Sequence, residues 1–214
     1  MRGVFIVLEG PDKSGKSTQA ETLVASLRKA GLEAVHTREP GGTGLAEAVR
    51  RVVLDPDLRV HPLAELLLYE AASAQHTAEL IRPALARGAV VVCERYTLAT
   101  LVYQGLARGL GVGLARRVDR VATGGLEADL TLVLDIPPEL FKRRDPARVQ
   151  DRLEREAPAF RRRVRDGYRM LARRLPRTVL IAADRPLEAV AADVAARVGR
   201  LLARRRRAGS GALT

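Results

Sequence analysis

Five short apolar runs constrain the fold of this chain more than any other feature of its sequence. They are rich in valine, isoleucine and leucine, and their apolar residues lack the alternation of a half-exposed strand. The runs occupy residues 4–10, 34–39, 89–95, 130–136 and 178–183. Continuous runs of this kind are typical of strands that are buried on both faces, so the pattern predicts a parallel sheet.

Helical patterns separate these runs. Apolar residues recur every three or four positions within residues 20–30, 160–175 and 187–201, and Gly31 is placed to end the first helix. Because strands and helices alternate along the chain, we expect a three-layer α/β domain with a five-stranded parallel sheet flanked by helices. We assign residues 1–203 to this single domain and the basic residues 204–214 to a flexible C-terminal tail.

Residues 10–18, GPDKSGKST, join the first run to the first helical pattern. Their glycines, lysine and serine fit G-x-x-x-x-G-K-[ST] in the strand–turn–helix context that this motif requires. In such a P-loop, backbone N–H groups surround phosphate oxygens, the lysine reaches the β- and γ-phosphates, and the serine can hold Mg²⁺. The motif therefore predicts a P-loop NTPase fold that binds a nucleoside triphosphate. The binding candidates are Gly10, Pro11, Asp12, Lys13, Ser14, Gly15, Lys16, Ser17 and Thr18.

The composition restricts the other partners of the protein. Lys and Arg number 37 against 25 Asp and Glu, and the resulting net charge of +12 would attract polyanions in general. The arginines are scattered, however, and aromatic residues make up only 3%, so nucleic acid is not an expected partner. No apolar run is long enough to span a membrane. The single cysteine, Cys93, fits a reducing compartment, and we expect a cytoplasmic protein.

The third apolar run ends at Glu94, where a P-loop protein needs a carboxylate to hold Mg²⁺. We therefore take Ser17 and Glu94 as the metal candidates. Three segments follow the P-loop in order: TREPGGTG at 37–44, ERYTLATLVYQG at 94–105 and DRLE at 151–154. Together with the P-loop, they resemble the thymidylate kinases over nearly the whole chain. The resemblance implies that MgATP phosphorylates dTMP to dTDP in dTTP biosynthesis, and that the protein forms a homodimer.

The resemblance also implies roles for the matched residues. Arg95 would bind the 5′-phosphate of the acceptor, a task that suits a planar guanidinium better than a lysine. Asp12 would face the 3′-hydroxyl, Tyr103 would lie against C2′ of the sugar, and Gln104 would read the pyrimidine. The acceptor-site candidates are Asp12, Arg38, Glu39, Pro40, Tyr69, Ser73, Arg95, Thr100, Tyr103 and Gln104.

Residues 141–152, FKRRDPARVQDR, resemble the lid that covers ATP in this family. Arg143, Arg144 and Arg148 are alternative candidates for the cation that stabilises the transition state, and Lys13 of the P-loop is a fourth. Lys16, Arg95 and Asp12 complete the catalytic candidates.

Several positions depart from the family pattern. Glu94 replaces an aspartate and Ala99 replaces a serine. Tyr69, where phenylalanine is usual, either stacks on the base or fills the core beneath its helix. Ser73 stands where an arginine is expected to contact thymine. Since a hydrogen bond to a charged group contributes about 1.5–3 kcal/mol, losing that arginine would weaken acceptor binding roughly ten- to hundredfold unless another group compensates.

Three alternatives to a thymidylate kinase follow from these features. The nearest is a kinase of another deoxynucleoside monophosphate, which the changes at Ser73 and Ala99 favour. A deoxynucleoside kinase is the second, although Arg95 counts against it. The third is a P-loop regulatory ATPase that binds nucleic acid through its basic surface, which would show salt-sensitive retention and ATP hydrolysis without an acceptor.

Overall fold

The sheet has the predicted strands. The structure is a computed structural model that describes residues 2–143 and 150–210, without the side chains of residues 142, 143 and 208–210. Five parallel strands form one sheet in the order β2-β3-β1-β4-β5. They are β1 (Val4–Glu9), β2 (Ala34–Arg38), β3 (Val90–Glu94), β4 (Leu130–Asp135) and β5 (Thr178–Ala182). The P-loop α/β fold with a five-stranded parallel sheet is therefore confirmed.

Helices connect successive strands and cover the sheet. They are α1 (Lys16–Lys29), α2 (Gly44–Leu54), α3 (Pro62–His76), α4 (Arg82–Ala86), α5 (Thr97–Thr100), α6 (Val112–Thr123), α7 (Pro138–Arg143), α8 (Pro158–Ala172) and α9 (Leu187–Ser210). Two π-helical segments, Thr77–Ile81 and Leu101–Ala107, continue α3 and α5. The sequence patterns did not predict these segments. None of the helices in residues 2–143 and 150–210 is long and apolar enough to cross a membrane.

The central strand explains why the apolar runs do not alternate. Ile6 and Leu8 of β1 pack with residues of α1 and α9 in one core cluster, whereas Phe5 and Val7 belong to another cluster with Ile81. Successive side chains of a strand point to opposite faces. Because both faces of β1 are buried, each residue from Val4 to Leu8 must be apolar.

The helical patterns are confirmed with changes at their ends. Helix α8 stops at Ala172, so Leu175 lies beyond it. Leu187 begins α9 with 45% of its surface exposed and does not join the buried stripe of this helix. Helix α9 continues to Ser210, so the arginine run 204–207 is helical. The flexibility of the tail stays a prediction, because residues 211–214 lie outside the described residues.

Three adjacent strands bring their carboxyl ends to the P-loop. Arg38 of β2 pairs with Glu94 of β3, which pairs with Leu8 of β1, one residue before the end of that strand. The crevice beyond the carboxyl ends of the strands is where open α/β sheets bind ligands. The fold therefore gathers residues 10–18, 37–44 and 94–105 at the carboxyl ends of these strands.

Candidate active site

The turn between β1 and α1 requires glycine. Gly10 and Gly15 have φ angles of 134° and 93°, in the region that favours residues without a Cβ atom. A Cβ atom on Gly10 would lie 2.3 Å from the carbonyl oxygen of Leu134. The turn directs backbone N–H groups and the N-terminus of α1 toward one place, an arrangement that binds phosphate.

Lys16, the first residue of α1, turns its ammonium group back into the P-loop. Its Nζ donates hydrogen bonds to the carbonyl oxygens of Gly10 at 3.0 Å and Pro11 at 2.7 Å. Burial, and then the positive charge of Arg95, lower the pKa of Lys16 to about 7. An anion in the P-loop would favour the charged ammonium, so Lys16 is poised to gain a proton when phosphate binds.

Glu94 meets the P-loop serine at the end of β3. Ser17 Oγ donates a hydrogen bond to Glu94 Oε2 at 2.6 Å, and His36 Nε2 lies 2.9 Å from Glu94 Oε1. Burial raises the pKa of Glu94, but the hydrogen bonds from His36 and Ser17 outweigh it and leave the pKa below its usual value. The carboxylate is therefore ionised, and its additional methylene does not prevent contact with the serine.

The donor set of Ser17 and Glu94 fits Mg²⁺, which prefers oxygen ligands. Among the described residues, no group of three or more His, Cys, Asp and Glu side chains could hold a metal by itself. Mg²⁺ commonly keeps several waters and takes other ligands from substrate phosphates.

Arg95 lies in the centre of the site with a φ of 65°, unusual for a residue other than glycine. One guanidinium nitrogen donates to the carbonyl oxygen of Gly10 at 3.0 Å and to the Tyr168 hydroxyl at 3.1 Å. The other forms an ion pair with Asp12. The guanidinium also lies 5.1 Å from the centre of the Tyr103 ring, whose hydroxyl donates to Asp12 at 3.2 Å. Asp12 and Tyr103, both predicted to face the sugar, thus also orient Arg95.

Behind Arg95 lies Glu9, a buried acid that sequence reasoning missed. Its Oε1 accepts hydrogen bonds from the backbone N–H groups of Tyr96 at 2.8 Å and Ala99 at 3.1 Å, and its Oε2 accepts one from the Tyr168 hydroxyl at 2.8 Å. Burial raises the pKa of Glu9 to about 7, despite the lowering effect of Arg95. Glu9 therefore anchors both the start of α5 and the tyrosine that contacts Arg95.

A cleft of about 550 Å³ extends from the P-loop to α3. Tyr69 and Ser73, one turn apart on α3, line it opposite Thr100 and Gln104. We call the part lined by these four residues the α3 end of the cleft. Tyr69 is half-buried and borders the cleft, and its stacking on a base stays a prediction.

Three side chains of the α3 end, those of Ser73, Thr100 and Gln104, share one property: each donates a hydrogen bond to a buried glutamate. Since a carboxylate can only accept hydrogen bonds, the amide of Gln104 must turn its nitrogen to the glutamate. The pairs are Ser73 with Glu39 at 2.9 Å, Thr100 with Glu70 at 2.8 Å, and Gln104 with Glu65 at 2.9 Å.

The REPGG segment forms the wall between β2 and α2. Arg38, Glu39 and Pro40 line the cleft as predicted. Glu39 is buried, and its second oxygen lies 2.9 Å from His76 Nδ1. Arg50 of α2 joins this wall and donates to the carbonyl oxygen of Pro40 at 2.9 Å. Sequence reasoning missed Arg50, because two adjacent arginines occupy α2 and only the fold decides which one faces the cleft.

The lid predictions fall largely outside the described residues. Arg144 and Arg148 lie there, and Arg143 ends α7 without a described side chain. Lys13 lies with its Nζ 4.9 Å from the centre of the Phe141 ring at the start of the lid. Asp151, just after the undescribed residues, lines the cleft. Among the candidates with described side chains, those that line the cleft are Asp12, Lys13, Gly15, Lys16, Ser17, Thr18, Arg38, Glu39, Pro40, Tyr69, Ser73, Glu94, Arg95, Thr100, Tyr103 and Gln104.

Comparison with known proteins adds independent findings. A model of the family described as thymidylate kinase matches residues 8–194. The chain is 51% identical over 197 residues to a thymidylate kinase of Pseudomonas putida (strain GB-1), covering 91% of this chain and 94% of the relative. It is 47% identical over 199 residues to a thymidylate kinase of Deinococcus radiodurans, covering 92% and 97%. It is also 47% identical over 206 residues to a thymidylate kinase of Thermomicrobium roseum, covering 95% and 98%.

Proposed function

This chain belongs to the thymidylate kinase family, and from that premise we propose that it transfers the γ-phosphoryl group of ATP to dTMP. The products are dTDP and ADP, and the reaction serves dTTP biosynthesis. The protein is a nucleoside monophosphate kinase. The single observation that carries the proposal is the continuous cleft, which leads from the P-loop past Arg95 to the α3 end.

The donor nucleotide binds at the P-loop in this proposal. Backbone N–H groups of residues 10–18 hold its phosphates, and Lys16 leaves the carbonyl oxygens of Gly10 and Pro11 to reach the β- and γ-phosphates. Ser17 and Glu94 are the residues that would hold Mg²⁺, directly or through water. When bound, Mg²⁺ neutralises charge that develops on the phosphate oxygens.

The acceptor binds along the other wall. Arg95 holds the 5′-phosphate of dTMP with its planar guanidinium, which Asp12 and Tyr168 orient. An oxygen of this phosphate attacks the γ-phosphorus in line, and the bond from that phosphorus to the oxygen bridging it to ADP breaks. The protein contributes position and charge neutralisation and forms no covalent bond. Asp12 and Tyr103 lie beside the expected position of the deoxyribose.

Additional cations complete the charge balance. Lys13 and one of Arg143, Arg144 and Arg148 are our candidates for groups that stabilise the transition state. Arg38, Glu39 and Arg50 shape the wall next to the acceptor phosphate. Tyr69 stacks on the base at the α3 end, where Ser73, Thr100 and Gln104 read its edge.

The test is ADP release from MgATP with dTMP, dUMP, dCMP, dGMP or thymidine at equal concentration. We expect dTMP to stimulate release most, because the family and the relatives that match this chain are thymidylate kinases. Thymidine should stimulate little, since it lacks the phosphate that Arg95 would hold. Greater stimulation by another monophosphate would retain the reaction and reject the substrate. Stimulation by thymidine alone would indicate a nucleoside kinase. Release that no acceptor stimulates would reject the kinase proposal for dTMP.

We also propose a homodimer, which the family resemblance implies. Helices α2 and α3 pack against each other, and large apolar side chains on them and in the loop between them are exposed. They are Leu45, Val52, Leu58, Leu63 and Leu67, which are 41–52% exposed. Burial of this surface would stabilise a dimer. Light scattering should give twice the mass of one chain, and Leu67→Glu should lower it; a monomeric native protein would contradict the proposal.

Our division of the chain also remains a proposal. We assign residues 1–203 to one kinase domain with a lid at about 141–152, and residues 204–214 to a tail that turnover does not need. A cytoplasmic location is our expectation from the sequence. Removal of residues 204–214 should leave dTMP-dependent turnover unchanged, and a large loss would show that the tail belongs to the domain.

A further inference from the structure

Glu70 differs from the other two glutamates behind the α3 end of the cleft. Glu39 also contacts His76, and Glu65 also pairs with Arg108. Within residues 2–143 and 150–210, by contrast, Glu70 Oε2 is buried with no hydrogen-bond partner, and Glu70 Oε1 accepts a single bond, from Thr100 at 2.8 Å. Only 3% of Glu70 is exposed. The carboxyl group of Glu70 therefore acts on the cleft through one hydroxyl group.

We propose that Glu70 is a positioning residue that sets the hydrogen-bonding direction of the Thr100 hydroxyl and thereby helps to select the base of the acceptor. The inference rests on the proposed function, because it takes the α3 end as the place of the base. It extends that function by assigning a specificity role to a residue that does not line the cleft.

The hydroxyl of Thr100 has one proton and can serve the cleft in two ways. When Glu70 is ionised, its carboxylate cannot donate, so Thr100 donates to it and presents only lone pairs to the cleft. When Glu70 is protonated, its proton is best placed on Oε1, since Oε2 has no acceptor among the described residues. Glu70 then donates to Thr100, and the hydroxyl proton of Thr100 can point into the cleft.

The surroundings of Glu70 place this change near neutral pH. Burial is the largest cause that raises the pKa of Glu70 to about 8, and the negative charge of Asp119 on α6 is the second. The hydrogen bond from Thr100 lowers this pKa by less than they raise it. Glu39 at the end of β2 adds a further negative charge. Asp119 itself has a pKa raised to about 6 by burial. Between about pH 6.5 and 8.5, Glu70 passes from mostly neutral to mostly ionised, while the ionised fraction of Asp119 changes less.

Pyrimidines differ in the group that would meet Thr100. Thymine and uracil carry an N–H donor at N3, whereas cytosine carries an acceptor there. A Thr100 that only accepts favours uracil and thymine, and a Thr100 that can donate tolerates cytosine. Uracil and cytosine are the sharper pair for a test, because neither has the methyl group of thymine.

The experiment measures dissociation constants of dUMP and dCMP by calorimetry at about pH 6.5 and about pH 8.5. Their phosphates are alike, so the titration of Lys16 and other phosphate-binding groups cancels in the ratio of the two constants. One hydrogen bond contributes about 0.5–1.5 kcal/mol. We therefore expect the preference for dUMP over dCMP to rise roughly two- to tenfold from the lower to the higher pH.

Two variants separate positioning from a structural role. In Glu70→Gln the ionisable group is gone, and in Thr100→Val the hydroxyl is gone, so in each the preference should not change with pH. The double variant should match Thr100→Val, since Glu70 acts only through Thr100. Thermal unfolding checks that each variant folds.

Each other outcome overturns the inference. A preference that does not change with pH in the native protein, or one that still changes in either variant, would exclude the role of Glu70. Failure of both nucleotides to bind would exclude it too. If dTMP nevertheless stimulates ADP release, the proposed function stands without this inference; if it does not, both fail.

Discussion

Glu9→Gln should make the stability of the fold less dependent on pH. Burial raises the pKa of Glu9 from 4.5 to about 7 in the folded protein. The folded state thus binds the carboxyl proton of Glu9 more tightly than the unfolded chain does. Protonation of Glu9 therefore stabilises the fold fully below about pH 4.5, and this stabilisation is lost as the pH rises through about 7. A shift of this size corresponds to roughly 3 kcal/mol when the loss is complete.

The glutamine variant retains most of the contacts of Glu9. Its amide oxygen can still accept from Tyr96 and Ala99, and its amide nitrogen can donate to the Tyr168 oxygen. It has no proton to lose. Between about pH 5 and about pH 8, the native protein should therefore lose about 2–3 kcal/mol of its free energy of unfolding that the variant keeps.

The assay is urea denaturation of both proteins across this pH range, with the free energy of unfolding extrapolated to water. Glu21→Gln is the matched control, because Glu21 on α1 is exposed, and it should follow the native protein. If Glu9→Gln and the native protein differ by a constant amount at every pH, Glu9 is not the buried titrating acid that the structure describes.

Three further predictions concern the cleft. MgATP binding at about pH 8 should take up close to one proton, because Lys16, with its pKa of about 7, becomes charged beside phosphate. Calorimetry in buffers of different ionisation enthalpy measures this proton uptake, and its absence would exclude the coupling. Arg95→Ala should lower kcat/KM for dTMP about a hundredfold or more. Lys13→Ala should lower it less than about tenfold, because lid arginines can substitute for Lys13; equal losses of kcat/KM in steady-state kinetics would contradict these roles. Ser73→Arg should lower KM for dTMP by supplying charged donors to the α3 end, and an unchanged or raised KM would show that no arginine is needed there.

The sheet and the P-loop could be predicted because their signals are local. A strand buried on both faces must be apolar at successive positions, as β1 is from Val4 to Leu8. The P-loop is a contiguous segment whose glycines meet steric demands of the turn itself, such as the approach of Gly10 to Leu134.

The supporting network of the site could not be predicted, because its partners are distant in the chain. Tyr168 and Glu9 are 159 residues apart, and Ser17 and Glu94 are 77 apart. Nothing in the sequence distinguishes Glu70 from an exposed acid on a helix, because its burial and its contact with Thr100 arise only in the fold. The positive φ of Arg95 likewise has no signal in the sequence, since glycine is the residue that usually marks such a turn.

The measurement that tests the central claim most directly follows the γ-phosphoryl group itself. ATP labelled at the γ-phosphate is incubated with the protein, Mg²⁺ and dTMP, and the labelled products are separated. We expect the label in dTDP, with one ADP formed for each dTDP. Label released as inorganic phosphate, or none transferred to dTMP, would contradict the account.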